Sequence, residues 1–338
     1  MNLAPATVPP GLVMVYMPDR GVGDLMWHLP TLRAIAATTP EGKVLLAARP
    51  SSRARDLLVA EACVELIDYL DYRAGTFRHL VETLDFYALC RARRPRAVWI
   101  LEKIDRPAIG AALAGVPERR GFGLGHGQER WLTHGPFLPR SMRPEGRIAK
   151  LAAFETAHGL GPVSREPDLR LPQALTDRAL ADFGHLPRPW IVLGVGGFEP
   201  TRRWPMDRFG ALAAALADLG GTRFWLGGFD DAAAVDALIA QAPDGPANVN
   251  VCSLKLDAGS ALMGQADLFV GNNSGPLNLA ASVGCTAVGL FGSSEPLTYS
   301  RHLRQVLGDG ATMDSISAPD AARAVREALA GERDNPAT

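Results

Sequence analysis

Cysteine is scarce in this chain and net charge is nearly absent. Four cysteines in 338 residues, Cys63, Cys90, Cys252 and Cys285, stand far apart. They form no close-spaced metal pair and no disulfide framework, so they read as buried free thiols of a reducing compartment. A formal charge of -1 gives no support for nucleic-acid binding, whose footprint is a strongly basic domain, and no nucleic-acid partner is expected. No apolar run approaches the length of a membrane span. The first ten residues, MNLAPATVPP, lack a basic stretch followed by a long apolar run and read as a flexible lead-in. These absences point to a cytoplasmic protein and leave room for peripheral contact with a membrane.

What is present is an alternation of apolar strands and helices that runs through the chain twice. At 338 residues with 47% hydrophobic content, the chain exceeds the size at which one core keeps growing, and two domains are expected. In the first half, strands at LVMVYM (12–17), KVLLAA (43–48), VELIDYL and AVWIL are separated by helical segments at 25–37, 52–61 and 77–93. Further helical patterns follow at 108–114 and in GRIAKLAAFETAHGL. After the Pro- and charge-rich GPVSREPDLRLPQ (161–173) the alternation restarts with strands WIVLGVGG, RFWLGG, NVNVC, DLFV and TAVGLFG, and closes with the amphipathic helix APDAARAVREALAG. The pattern predicts an α/β protein of two Rossmann-like, doubly wound domains. It divides as residues 1–165, a connection at 166–187, a second domain at 188–317 and a closing helix and tail at 318–338.

The densest motif is GNNSGPLNLAASVGCTAVGLFG (271–292), a strand, a small polar turn, an Ala-rich helix and a second strand. Ser274 is expected to cap the helix, Gly275 lets a ligand approach the backbone, and Pro276 sits in the first turn, where a missing N–H costs least. Free amides and the helix dipole then converge where a phosphate would lie. The same features also suit an ordinary βαβ crossover. The glycine-rich GFGLGHG (121–127) lacks the strand, turn and helix context of a dinucleotide loop, and is read as a mobile loop near an acceptor.

Taken in order, GVGDLMWHLPTLRAI, TRRWPMDRFGALAAAL, WLGGFDD and DLFVGNNSGPLNLAASVGCTAVGLFG resemble four signatures of glycosyltransferase family 9, the bacterial heptosyltransferases, with VPERRGFG (116–123) as a further landmark. The resemblance spans Val13 to about Phe291. It implies a GT-B architecture, two Rossmann-like domains facing a central cleft, with the donor nucleotide on the second and the acceptor mainly on the first. It further implies a metal-independent, inverting transfer of a sugar, typically heptose from an ADP-linked donor, to lipopolysaccharide core, with no cofactor. The expected partners are a nucleotide sugar, ADP-linked by preference, and a glycan or glycolipid acceptor. A sugar-nucleotide epimerase of the same shape is disfavoured because the four signatures belong to the transferases. A nucleotide-sugar-binding or regulatory protein that keeps the shell without turnover is the alternative.

The resemblance distributes roles as follows. Asp24 resembles the family's catalytic aspartate, which takes the acceptor hydroxyl's proton; an aspartate there could also cap the helix. Gly21 and Gly23 keep the loop open to an acceptor. His28, one turn beyond Asp24, tunes the base or is structural. Arg202 matches the place of a family lysine that meets the diphosphate, with Arg203 a direct competitor. Ser274 and Gly275 supply a hydroxyl and an amide to the same diphosphate. Asp231 resembles the acidic residue beside the nucleotide ribose, with Asp230 adjacent, although both also suit a helix start. Arg49, Arg53 and Arg55 follow the second strand and fit either an acidic acceptor or solvated surface. The sequence departs from the family at Asn273, where an aspartate contacts the donor sugar, and at Asn278, where a histidine lies near the diphosphate. Those two positions put the identity of the donor sugar in question.

Overall fold

The computed structural model describes residues 11–71, 76–125, 127–197, 199–242, 245–292, 294–310 and 312–331. The N-terminal lead-in and the tail after 331 lie outside them. The chain divides into two compact units, residues 1–167 and 168–338.

Unit 1 is a five-stranded parallel sheet of β1 (Val13–Tyr16), β2 (Val44–Ala48), β3 (Val64–Tyr69), β4 (Ala97–Ile100) and β5 (Glu118–Gly121), in the order β3-β2-β1-β4-β5. Its helices are α1 (Val22–Ala37), α2 (Ala54–Leu57), α3 (Arg78–Arg93), α4 (Arg106–Leu113) and α5 (Arg147–Ala157). The central strands are buried on both faces, which is why they read as unbroken apolar runs. Met14, Leu45, Val98 and Ile100 pack against Phe86 and Leu89 of α3 and Ala108 of α4. Burial of each large apolar side chain of this kind contributes about 1.5–3 kcal/mol.

Unit 2 is a six-stranded parallel sheet of β6 (Trp190–Gly194), β7 (Thr222–Leu226), β8 (Ala247–Asn250), β9 (Leu268–Asn272), β10 (Ala287–Phe291) and β11 (Leu303–Leu307), in the order β11-β10-β9-β6-β7-β8. Its helices are α6 (Gln173–Phe183), α7 (Met206–Ala215), α8 (Ala232–Ile239), α9 (Leu256–Gln265), α10 (Gly275–Ser282) and α11 (Ala318–Leu329). Ile191, Leu193, Val270 and Leu290 of the sheet meet Trp204, Phe209 of α7 and Val325 of α11 in one core.

Several elements differ from the pattern-based expectation. Helix α1 begins at Val22, one turn earlier than the apolar pattern suggests, so Asp24 lies inside it. The helix expected at 52–61 shrinks to a short 3-10 turn and α2. The expected connection at 166–187 contains α6, which packs on α9, and the closing helix α11 is part of the unit 2 core. Among the described residues no helix is long and apolar enough to cross a membrane.

Candidate active site

In each unit the first strand lies inside the sheet and successive strands add on opposite sides of it. The chain therefore reverses direction between β1 and β4 in unit 1, and between β6 and β9 in unit 2. Such reversals open a crevice beyond the carboxyl ends of the strands, where open α/β sheets bind ligands. The residues of interest sit on the loops that leave those ends.

In unit 1 the loop after β1 carries Asp19 and Gly21 and runs into α1. Gly21 is the residue before the first helical turn, and its N–H donates to Asp24 Oδ2 at 3.0 Å. Asp24 is thus the inner half of a capping arrangement rather than the cap residue itself. A Cβ on Gly21 would stand 2.9 Å from Asp24 Oδ2, so glycine is what lets the carboxylate fold back. Burial pushes the Asp24 pKa up, and the neighbouring Asp19 pushes it further.

His28 is fully buried one turn along α1, with Nδ1 2.7 Å from the Asp24 carbonyl oxygen and Nε2 3.4 Å from Asp19 Oδ2. Arg147, at the start of α5, donates from Nη2 to Asp19 Oδ1 at 2.7 Å and to Glu102 Oε2 at 2.5 Å, and from Nη1 to the Leu101 carbonyl. Glu102 follows β4, so Arg147 ties together the two loops that border the β1/β4 crevice. Burial raises the Asp19 pKa to about 6 against the pull of Arg147. Burial also raises Glu102, but Arg147 and Lys103, whose N–H it accepts, together outweigh it and hold Glu102 below its ordinary value.

The glycine-rich segment 121–127 is pinned rather than loose, apart from residue 126, which lies outside the described residues. The Gly123 N–H donates to Gln128 Oε1 at 2.9 Å, and the Gly125 N–H to Glu129 Oε1. Buried Gln128 in turn donates to the carbonyls of Glu102 and Ile104. The expected mobile loop is therefore held at Gly123 and Gly125, with Gln128 bridging the Gly123 N–H to the Glu102 loop. Arg49 follows β2 and lines a small polar cavity with Tyr16, Glu82, Asp85 and Arg106. Arg53 points outward in an exposed pair with Asp56, and Arg55 stacks on Tyr69 and donates to the Ile67 carbonyl.

In unit 2 the loop after β6 carries Arg202 and Arg203, the loop after β7 carries Asp231, and the loop after β9 carries Asn273, Ser274 and Gly275. Arg202 pairs with Glu199 on the surface at 2.8 Å. Arg203 turns inward to Asp231 Oδ1, while Asp231 Oδ2 accepts from the Gly228 N–H at 2.8 Å. Both oxygens of Asp231 are therefore engaged, and the side chain is buried, whereas Asp230 is exposed. A Cβ on Gly227 would lie 2.8 Å from Asp231 Oδ2, which fixes glycine at this turn.

Ser274 precedes α10 in extended backbone, but its hydroxyl makes no capping bond, which corrects the expected cap. An N-cap hydroxyl bonds the second or third helical N–H, and the second residue here is Pro276, which has none. Ser274 Oγ is buried and has no hydrogen-bond partner. It lies beside the free amides of the α10 N-terminus, where a phosphate oxygen would satisfy it. Asn273 Nδ2 donates to Ser294 Oγ at 2.9 Å. Asn278 is buried, donating to the Ser274 carbonyl and accepting from the Tyr299 hydroxyl at 2.8 Å.

Sequence reasoning missed Asp19, Glu102 and Arg147, and it missed Asn272. Asn272 is fully buried at the end of β9; its Oδ1 accepts from the Trp204 N–H at 2.8 Å, and its Nδ2 donates to the carbonyls of Val195 and Gly196. It thereby fastens the loop bearing Arg203 to the end of β9, two residues before Ser274. The doubled Asn of GNNSG and the second carboxylate of PDRGVGD were the available signals.

Residues 148–313 match the sequence model of glycosyltransferase family 9 (heptosyltransferase). No match was found among curated protein sequences. The ADP-heptose lipopolysaccharide heptosyltransferase II of E. coli has a similar structure, with TM-score 0.73 and 22% identity, over 95% of this chain and 99% of that one. A family 9 glycosyl transferase from Veillonella parvula gives 0.73 at 18% identity, over 94% and 97% of the two chains. E. coli heptosyltransferase WaaC with ADP-2-deoxy-2-fluoro heptose gives 0.73 at 14%, over 93% and 99%. At such identities the structures establish the fold, two parallel α/β sheets of the GT-B class, and the sequence match establishes the domain. A glycosyltransferase family 9 domain therefore covers residues 148–313, and the chain is similar in fold to heptosyltransferases along nearly its whole length.

Proposed function

We propose that this glycosyltransferase moves heptose from an ADP-linked donor to lipopolysaccharide core or another cell-surface glycan, with inversion and without a metal. The observation that carries the reading is the convergence of Arg203, the unpartnered Ser274 hydroxyl and the α10 amides at the β6/β9 crevice, inside the matched domain. These groups suit a diphosphate that gains negative charge as it leaves. Asp24 accepts the proton of the acceptor hydroxyl; the acceptor oxygen bonds to the anomeric carbon as the bond from that carbon to the diphosphate oxygen breaks. An elevated proton affinity makes a half-buried carboxylate a better base for this step. A lipid-linked acceptor would bring the protein to the cytoplasmic face of the inner membrane as a peripheral partner.

A second reading, the same transfer with a different donor sugar, is favoured by Asn273, whose amide stands where the family places a carboxylate. The test is a thermal-shift screen of nucleoside diphosphates and their sugars, followed by transfer assays with the best binder, since a ligand of the folded form raises its melting temperature. ADP or an ADP-sugar is expected to give the largest shift. A clear preference for UDP, GDP or dTDP forms would overturn the ADP assignment, and no shift with any of them would favour a binding shell without turnover.

A further inference from the structure

His28 and Asp19 form a pair that the transfer reaction does not by itself require. The partner of His28 Nδ1 is a backbone carbonyl at 2.7 Å, which can only accept, so Nδ1 carries a proton. In a neutral ring Nε2 is then a bare lone pair. Facing it at 3.4 Å is Asp19 Oδ2, which in an ionised carboxylate is also only an acceptor. Both atoms are buried and neither has a hydrogen-bond partner. Two buried lone pairs facing each other lose the hydrogen bonds that water would give them, and one proton between them removes the conflict.

We propose that Asp19 and His28 hold a single proton between Oδ2 and Nε2, and that this pair is a positioning device that sets the charge and backbone geometry around Asp24. The second half of this proposal rests on Asp24 being the base. The groups facing the pair come from four elements. Asp24 lies on α1 with His28, Arg147 comes from α5, Glu102 follows β4, and Arg49 follows β2 and acts on Asp19 at longer range. Arg147 occupies Asp19 Oδ1 and so leaves Oδ2 for the ring. Burial favours neutral forms of both partners, lowering the His28 pKa to about 4 and raising that of Asp19 to about 6, so the proton rests mainly on Asp19. When it leaves, a negative charge appears beside Asp24 and strengthens it as a base. The Nδ1 bond meanwhile fixes the turn of α1 that carries Asp24.

Two variants separate the pair from the base. Asp19→Asn places an NH2 donor opposite Nε2 and keeps an oxygen for Arg147, so it imitates the protonated pair at every pH. His28→Gln offers its own NH2 to Asp19 and removes the need for the shared proton. The direct readout is the ring nitrogen spectrum of 15N-histidine-labelled protein, with the His28 signals identified by their loss in His28→Gln. The expected spectrum is a proton fixed on Nδ1 and a step in the Nε2 signal near pH 6 that disappears in Asp19→Asn. A proton on Nε2 with bare Nδ1, or an ordinary imidazole titration untouched by Asp19→Asn, would overturn the pair.

The kinetic readout is the pH profile of kcat. In Asp19→Asn the acid limb should move to lower pH and the plateau should fall about three- to tenfold, as expected for a weaker base, with donor KM unchanged. A folded Asp19→Asn with an unmoved profile would overturn the tuning. Full transfer by Asp24→Asn would overturn the base assignment and the tuning with it, while the ring spectrum would still support the shared proton.

Discussion

The two crevices occupy the same place in their sheets and are furnished with opposite chemistry. Beyond β1 and β4 stand three carboxylates, Asp19, Asp24 and Glu102, with one arginine, Arg147, bonded to two of them. Beyond β6 and β9 stand Arg203, the unpartnered Ser274 hydroxyl and the α10 N-terminus, met from the loop after β7 by Asp231, whose oxygens are already taken. The first set competes for protons, because burial raises the cost of each negative charge while Arg147 cannot neutralise them all. The second set offers positive potential. One fold can therefore present clustered carboxylates or groups suited to an anion from equivalent positions, the difference lying in which residues follow the strands.

The sharpest way to break this comparison is to remove the charge at Asp24. Asp24→Asn should lower kcat about a hundredfold or more while ADP-sugar binding, measured by titration calorimetry, changes little. Asparagine can still accept from the Gly21 N–H through its oxygen, so the cap survives the change. Loss of stability with activity retained per folded molecule would leave Asp24 as a capping residue only.

A second test separates the two arginines of unit 2. Removing a charge-assisted hydrogen bond costs about 1.5–3 kcal/mol, so Arg203→Ala should weaken nucleotide binding roughly ten- to hundredfold. Arg202→Ala should change it much less, since Arg202 is paired with Glu199 on the surface. The reverse ranking would return the diphosphate to Arg202, the position that the sequence resemblance favours.

A third test reads the carboxylate crevice through stability. The Asp19 pKa lies above its ordinary value, so its contribution is full in acid and is lost as pH rises through about 6. The His28 pKa lies below its ordinary value, so its contribution is full above 6.5 and is lost as pH falls through about 4. Between pH 4 and 6 the two slopes oppose each other in the parent protein. Over that window the melting temperature of Asp19→Asn should climb with pH and that of His28→Phe, which gives Asp19 no donor and leaves it buried, should fall, each by several degrees. Parallel slopes in both variants would show that the two groups do not titrate as opposed partners.

The parts of the molecule that were legible in its sequence are those where one residue type has one plausible use. The central strands are buried on both faces and announce themselves as apolar runs. The edge strands β5 and β11 carry Arg119 and Arg120, or Arg304 and Gln305, and were missed because an edge needs no continuous apolar face. Helix α6 was hidden in a segment whose prolines and charges read as a connection. Asp24 and Ser274 were visible through their motifs. Arg147 lies 128 residues from Asp19, and no local pattern joins them. The capping role given to Ser274 failed at Pro276, two residues away, which removes one of the N–H groups that a cap would use. Motifs singled out candidate residues, and tertiary contacts decide which of their atoms remain available.

The smallest expected effect is the one that bears most on substrate identity. Asn273 donates through Nδ2 to Ser294 Oγ, and a serine hydroxyl can rotate to donate instead. Asn273→Asp should therefore keep this contact and the fold. The new charge lies just ahead of α10, where the helix dipole favours it by about 0.3–1 kcal/mol, but the same charge repels a diphosphate bound at that terminus. Nucleotide affinity should consequently fall by less than about tenfold, since the dipole and Arg203 still hold the anion. The sugar ranking should move further. A carboxylate accepts from two sugar hydroxyls, whereas asparagine offers one acceptor and one donor group and so suits a sugar bearing an acetamido or carboxyl oxygen. Across a panel of sugars on the preferred nucleotide, Asn273→Asp should gain transfer with donors presenting only hydroxyls and lose it with donors presenting an acceptor. An unchanged ranking alongside a weakened nucleotide would place Asn273 at the diphosphate and leave the sugar to be read elsewhere.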